Sequence, residues 1–490
     1  MTKAEKNAYN IVSILQKAGY QALFAGGYVR DKVMKRDIHD IDIATDAKPD
    51  EIKKVLEKNK IKHIEIGESF GVVAAVIPKN KKENFFYEIA TFRQDIGVGD
   101  GRHPEKVKLI SDPREDAVRR DFTINGLFMM NKELRIKNQE EIHNSEFIIH
   151  YSNSLEIVDH IGGLKDIEAK IIRFIGNPDE RIREDALRMM RAIRFACQLD
   201  FQIEEKSLEA IIKNKNLIKN ISYERIRDEM NKILASKNRK LGIELLDKVG
   251  ILNIIIPELE IEKSTPQPKN MHFEGDVWKH TMLGLERIRK NDDYIIGWSV
   301  LLHDIAKPIT IQTPEKDGTD RIRFNNHDQE GARLAGEILR RMKFSNDEVE
   351  RITWAIKNHM IFGNFPKMRE STRIRYLTNP YFLDLLELFW VDANSSVRST
   401  PSGKILPAEL SAYNNALKCF QAEKTKPKLP KPILRGDEVM KMMGIESGNK
   451  LVGEILHEVF DAQLEKKVKN KKEAKEMARK MLKGKWKMNK

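Results

Sequence analysis

Phe24-Ala-Gly-Gly-Tyr-Val-Arg-Asp31, followed by Asp40-Ile-Asp42-Ile-Ala-Thr45, is the stretch from which the fold of this chain can be read. Residues 21–25 read as a strand, 28–35 as a helix and 38–44 as a second strand. Gly26 and Gly27 fall between strand and helix, where they allow close backbone approach and leave helix N–H groups open to a phosphate. In the second strand, a period of two puts Asp40 and Asp42 on one face and Ile41 and Ile43 on the other. Adjacent carboxylates repel unless cations sit between them. With phosphates nearby they would hold Mg²⁺ in an oxygen-rich octahedral site, the arrangement for two-metal nucleotidyl transfer. The plainer alternative is a solvent-facing edge strand.

Outward from this stretch, residues 72–77 and 85–91 read as further strands. From about Ile157 the pattern is helical, with Leu187, Met190 and Ile193 at helical spacing within an expected helix over 185–197. Pro257, Pro266 and Pro268, with Ser264 and Thr265 between them, mark a linker. A histidine-bearing helical block covers about 271–394, and a Pro/Lys-rich stretch at 424–432 precedes a basic tail. No internal repeat is visible. The 490 residues suggest three or four domains at roughly 150 residues each.

Composition narrows the function classes. No apolar run approaches the ~18 residues of a membrane span, and MTKAEKNAYN has no secretory h-region. Cys197 and Cys419 are too few for a disulfide scaffold or a cysteine zinc site. A cytoplasmic protein is expected, with no membrane partner; oligomeric state is not legible. Lys and Arg number 87 against 74 Asp and Glu, a net charge of +13. Residues 465–490 hold 12 basic and 3 acidic side chains, so most of the excess sits in the tail. That tail reads either as a phosphate-binding surface or as a solvated lysine-rich helix.

GGYVRD with DIDIATDA resembles motif A of the class II tRNA nucleotidyltransferases and bacterial poly(A) polymerases. Arg119-Arg-Asp-Phe-Thr-Ile-Asn125 is similar to their motif B, and Asp159-His-Ile-Gly-Gly-Leu-Lys-Asp166 to motif C. Glu184-Asp-Ala-Leu-Arg188, continuing to Arg191 and Arg194, is similar to motif D. Gly453-Glu-Ile-Leu and Ala462-Gln-Leu-Glu465 resemble the C-terminal part of bacterial CCA-adding enzymes.

The resemblance implies that Asp40 and Asp42 bind the two metals and align a primer hydroxyl. Gly26, Gly27 and Arg30 would contact the incoming nucleotide, and Arg119 and Arg120 the triphosphate or ribose. Glu88 is a candidate third carboxylate. Asp185 and Arg188, three apart on an expected helix, would share a face and read the base edge of CTP or ATP, with Arg191 and Arg194 as further nucleotide contacts. Family members that complete CCA share a loop with acidic residues before Arg-Arg-Pro. Here Phe92-Arg-Gln-Asp95 and Asp100-Gly-Arg-His-Pro104 keep the loop, which argues against CC-only addition. Val98 replaces the usual aromatic and His103 the usual Arg, which leaves A-adding and poly(A)-adding alternatives open.

His280, His303, Asp304, His327, His359 and Asp392 lie on expected helices that could converge. Imidazole and carboxylate suit Mn²⁺, Ni²⁺, Co²⁺, Fe or Mg²⁺, and Asp304 could bridge two metals. The set resembles the HD phosphohydrolase superfamily, with His303-Asp304 inside a helix; the alternative is a decayed domain kept as a scaffold. The fold expected is α+β: a small mixed-sheet nucleotidyltransferase head (1–145), a helical neck and body (146–265), an HD domain (266–400) and a basic helical tail (401–490) that binds tRNA. The competing classes are a phosphohydrolase acting on RNA ends whose head merely binds RNA, and a noncatalytic RNA-binding protein.

Overall fold

The apolar run Ala22–Ala25 (β1) is buried along its whole length, and a strand apolar on both faces belongs inside a sheet. The computed structural model describes residues 1–38, 40–67, 71–80, 83–97, 106–131, 148–151, 155–291, 293–400, 402–423 and 429–486. Val98, His103 and residues 424–428 of the Pro/Lys-rich stretch lie outside them. The chain forms two compact units, Met1–Pro257 and Glu258–Lys490.

Among the described residues, the first unit is built on an eight-stranded sheet. In chain order follow β2 (Asp42–Thr45), β3 (Lys62–Gly67), β4 (Val72–Pro78) and β5 (Asn84–Thr91). A separate hairpin, β6 (Arg93–Ile96) and β7 (Lys106–Leu109), precedes β8 (Phe128–Asn131), β9 (Ile148–His150) and β10 (Leu155–Val158). The spatial order is β3-β4-β5-β2-β1-β8-β10-β9. β2 and β5 run parallel, and the other neighbours are antiparallel.

Helix Lys3–Lys17 starts at a capping box between Thr2 and Glu5. It buries Ala8, Ile11, Val12 and Leu15, one stripe at helical spacing, against Phe24, Ile43 and Ile89 of the sheet. The opposite sheet face carries Leu23, Ala25 and Ala44 into a smaller core with Phe92 and Phe128. By alternation Asp42 shares that second face with Ala44.

The strand expected over 38–44 starts only at Asp42. The reason is partnership: Asp42 pairs with Ala25, the last residue of β1, and pairing with β5 begins only at Ile43, so Asp40 and Ile41 lie before the paired register. The helix expected over 28–35 is the seven-residue Gly27–Val33. The first unit continues in helices including Arg188–Leu199, Tyr223–Ala235 and Arg239–Lys248.

Among the described residues, the regular elements of the second unit are helices apart from one pair of two-residue strands. Helix Tyr294–Leu302 buries every residue from Ile295 to Leu302, and so lies among Val277–Arg287, Asn346–Asn358 and Phe382–Ser395. The segment expected as a linker is a 3-10 stretch, Pro257–Ser264, with Leu259 and Glu262 buried. Its prolines punctuate the chain, but Leu259 and the buried Thr265 and Gln267 tie it down. The basic tail is ordered through helix Lys471–Trp486, which puts Ala474 and Ala478 into a core with Val439, Val452, Ile455 and Val459. Among the described residues no helix is long and apolar enough to cross a membrane.

Candidate functional site

At the end of β1 the chain turns through Gly26 at φ +64°. A Cβ there would stand 2.9 Å from Arg120 Nη1 and 3.8 Å from Asp42 Oδ2, so the turn needs glycine for space as well as conformation. Asp42 lies beside it, paired in register with Ala25. Ile43 pairs with Ile89 across β2 and β5, which brings Glu88 next to Asp42 on the same face. Asp40 is exposed just before the strand. Burial, then the charge of Glu88 and finally that of Asp40 raise the Asp42 carboxyl to about 6, while Arg120 opposes the rise. A buried carboxylate with two further acidic groups acting on it fits a hard divalent cation, whose charge would relieve the repulsion. The three candidate carboxylates are therefore brought together, though not by one strand.

The arginines of the site are pinned by acids. Buried Asp116 accepts from Arg119 Nε at 2.8 Å and from Arg120 Nη2 at 2.9 Å. Burial would raise the Asp116 pKa, but these two guanidiniums lower it. Arg30 donates to Asn125 Oδ1 at 2.7 Å and to Asp31. Asp121 receives Asn125 Nδ2 at 3.0 Å and Arg191 Nε at 2.9 Å, and Arg181 donates to the carbonyls of Arg119 and Arg120. Motif B and motif D thus form one hydrogen-bonded block. Arg194 is taken up by buried Glu229 at 2.6 Å. In motif C, Asp159 accepts the N–H groups of Ile161, Gly163 and Leu164, and Asp166 accepts from Thr123 and Arg173, so these carboxylates shape the turn.

The expected single helix through Asp185 and Arg188 is broken. Asp185 is the extended residue between helix Pro178–Glu184 and helix Arg188–Leu199. Its Oδ1 accepts the Leu187 N–H at 3.0 Å, a local bond that competes with helix continuation. Its Oδ2 receives Arg225 at 2.7 Å, while Arg188 binds Glu184 at 2.6 Å. The Arg188 N–H donates to the Asp185 carbonyl at 3.0 Å, but the two side chains take different partners and do not share a helix face.

In the second unit the six expected ligands converge. His280 Nε2 is 3.1 Å from Asp392 Oδ1 and 3.7 Å from Asp304 Oδ2. His303 Nε2 is 3.2 Å from Asp304 Oδ2, and His327 Nε2 is 3.7 Å from Asp304 Oδ1 and 3.3 Å from His359 Nε2. His303-Asp304 is not inside a helix: His303 caps Tyr294–Leu302 and Asp304 lies in the turn beyond. His303, His327 and His359 use one device, Nδ1 against the carbonyl three residues earlier (Val300, Phe324, Ile356). A carbonyl only accepts, so each Nδ1 carries the proton and each Nε2 faces inward as a ligand atom. Among the described residues, buried His303 Nε2 has no hydrogen-bond partner, and the imidazoles and carboxylates gathered around Asp304 fit a divalent metal.

The surrounding charges were not foreseen from sequence. Glu274 accepts from His272 at 2.7 Å and His280 at 2.9 Å. Burial opposes protonation of His280, but Asp392 and Glu274 outweigh it and push its pKa up to about 9. Burial, then His303 and His327, hold His359 down at about 4. Lys307 Nζ stands 2.7 Å from Asp304 Oδ2. The i, i+3 spacing of Asp304 and Lys307, like that of Asp116 and Arg119, was the available signal. For Glu274, Arg181 and Arg225 there was none.

Residues 22–173 match the poly A polymerase head domain, 200–262 a probable RNA- and SrmB-binding site of polymerase A, and 277–378 the HD domain. Residues 22–173 are therefore similar to a poly A polymerase head domain. It is 38% identical over 245 residues to the CCA-adding enzyme of Bacillus velezensis, covering 50% of this chain and 54% of that one. It is 40% identical over 243 residues to that of Ligilactobacillus salivarius, covering 49% and 52%. The chain thus spans about half the length of the curated relatives it matches. In fold it is similar to a Bacillus stearothermophilus CCA-adding enzyme solved with CTP, with TM-score 0.65 and 22% identity over 100% of this chain and 99% of that chain. It is also similar to a Thermotoga maritima CCA-adding enzyme solved with tRNA, with TM-score 0.54 and 18% identity over 99% and 96%.

Proposed function

We propose that this chain adds C, C and A to the 3′ end of tRNA from CTP and ATP without a template, releasing diphosphate. The observation that carries the reading is the gathering of Asp40, Asp42, Glu88 and Arg120 around Gly26, in a head whose relatives are named CCA-adding enzymes. Asp40 and Asp42 hold Mg²⁺. Bound there, it would supply charge stabilisation at the α-phosphate and lower the pKa of the attacking hydroxyl. Arg119 and Arg120, fixed by Asp116, neutralise the triphosphate; the helix at Gly27 is too short to contribute much. Gly26, Gly27 and Arg30 border the nucleotide.

Asp185 and Arg188 read the base edge, with Arg191 and Arg194 as further nucleotide contacts. Cytosine N4 and adenine N6 are both amine donors at a position where uracil and guanine carry an acceptor. A carboxylate oxygen of Asp185 with a spare lone pair can select both. The chain divides by role into a catalytic head (1–145), a neck and body for base selection (146–265), an HD domain (266–400) and a tRNA-binding tail (401–490), in a cytoplasmic setting.

Purified protein is incubated with tRNA ending at the discriminator base plus labelled CTP, ATP, or both. Full CCA appearing only with both nucleotides supports the reading. Incorporation of ATP alone, singly or as a run, favours an A-adding or poly(A)-adding enzyme.

A second activity is favoured by the orphaned His303 Nε2 and the ligands gathered around Asp304: metal-dependent phosphohydrolysis at RNA ends, with Mn²⁺, Ni²⁺, Co²⁺ or Mg²⁺. Loss of hydrolysis of a small phosphodiester in His303→Ala, with CCA addition retained, tests it.

A further inference from the structure

The six ligands of the histidine cluster divide about Asp304. On one side Oδ1 faces His327 at 3.7 Å, and His327 Nε2 meets His359 Nε2 at 3.3 Å. Both of these imidazoles spend their Nδ1 protons on backbone carbonyls, so two lone pairs point at each other, which is unfavourable until a cation enters. On the other side Oδ2 faces His303 at 3.2 Å and His280 at 3.7 Å, with Asp392 beyond.

This second side already holds a cation. Lys307, only 6% exposed, places its ammonium 2.7 Å from Asp304 Oδ2, donates to Gln267 at 2.7 Å and lies 5.3 Å from the Phe324 ring centre. A divalent ion entering there must displace the ammonium or bear its repulsion in a buried setting, where little water screens it.

We propose that Lys307 guards the Oδ2 side, so that metal is taken up in two unequal steps. The first fills Asp304 Oδ1, His327 and His359; the second fills the His280, His303 and Asp392 side only as the ammonium leaves Asp304. The inference rests on the reading of the cluster as a metal site.

The test is a Co²⁺ titration of the full-length chain carrying Asp40→Asn and Asp42→Asn, which silences the head carboxylates. Calorimetry and the visible d–d bands report binding independently of activity. Two steps at least tenfold apart in Kd are expected. Lys307→Met should tighten the second step tenfold or more and move the first less than threefold, and His327→Ala should remove the tight step. Gln267→Leu, which loosens the ammonium without removing it, should shift the second step the same way by a smaller factor, and provides the measurement if Lys307→Met does not fold. Two equal steps in the parent, or a second step unmoved in both the Lys307 and Gln267 variants, overturns the proposal and leaves the metal site standing. No Co²⁺ uptake overturns both.

Discussion

Gly26 carries two demands at once, a left-handed turn and the close approach of Arg120. Gly26→Ala should therefore cost about 1–2 kcal/mol in stability and lower nucleotide incorporation at least a hundredfold; chemical denaturation and a primer-extension assay measure the two effects. Asp46 offers a residue whose charge harms the fold. Burial, reinforced by Glu51, pushes its carboxyl up to about 6 from 3.8 against a 2.8 Å bond from the Gln21 N–H. The folded pKa is the higher one, so stability falls as pH rises from about 4 through 6. Asp46→Asn keeps the acceptor and removes the charge. It should gain about 1–2 kcal/mol at pH 8, discounted for partial exposure, and little below pH 4; denaturant midpoints at the two pH values decide.

At the scale of elements, the junction at Asp185 joins capping to base choice. Asp185→Ala should lower stability by about 1 kcal/mol through the lost cap. Asp185→Asn should retain most of that stability yet relax selection for CTP and ATP, because an amide can present a donor where the carboxylate only accepts. Misincorporation of UTP and GTP is the readout, and an Asn variant with unchanged selectivity removes the base-reading role. In the tail, Lys471 and Lys475 are committed to Glu438, while Lys472, Lys480 and Lys483 are exposed. Truncation would open the Ala474–Ala478 core, so reversal of those three to Glu is the sharper test. Every tRNA phosphate that the reversal leaves without its lysine should reduce the log–log salt slope of binding by about 1. An unchanged slope identifies a solvated helix face.

The same elements show what a sequence can carry. Gly26 and Asp42 were legible because strand, turn and strand are local and periodic. The break at Asp185 was not, because Leu187, Met190 and Ile193 keep the helical stripe on its far side while the Asx bond interrupts the backbone. The histidine ligands could be named from their type, but Glu274 binds His280 from a loop and Lys307 is not a metal-ligand type.

For the whole molecule, each of the two units contains cores of its own. Calorimetric unfolding should therefore depart from a single two-state transition. Co²⁺ added to the chain with silenced head carboxylates should raise the transition of the second unit alone, by about 2.7 kcal/mol at a hundredfold excess over Kd. A single transition that moves as a whole would contradict this.

The place of β1 between β2 and β8 has a consequence for biosynthesis. Phe24 pairs with Ile43 almost at once, but its other partner, Met129, is translated about a hundred residues later. At ribosomal speeds that leaves an apolar strand edge open for roughly 5–20 s. Nascent chains arrested in this window should be sticky and dependent on holdase chaperones, whereas chains arrested after Val158 has cleared the exit tunnel should not.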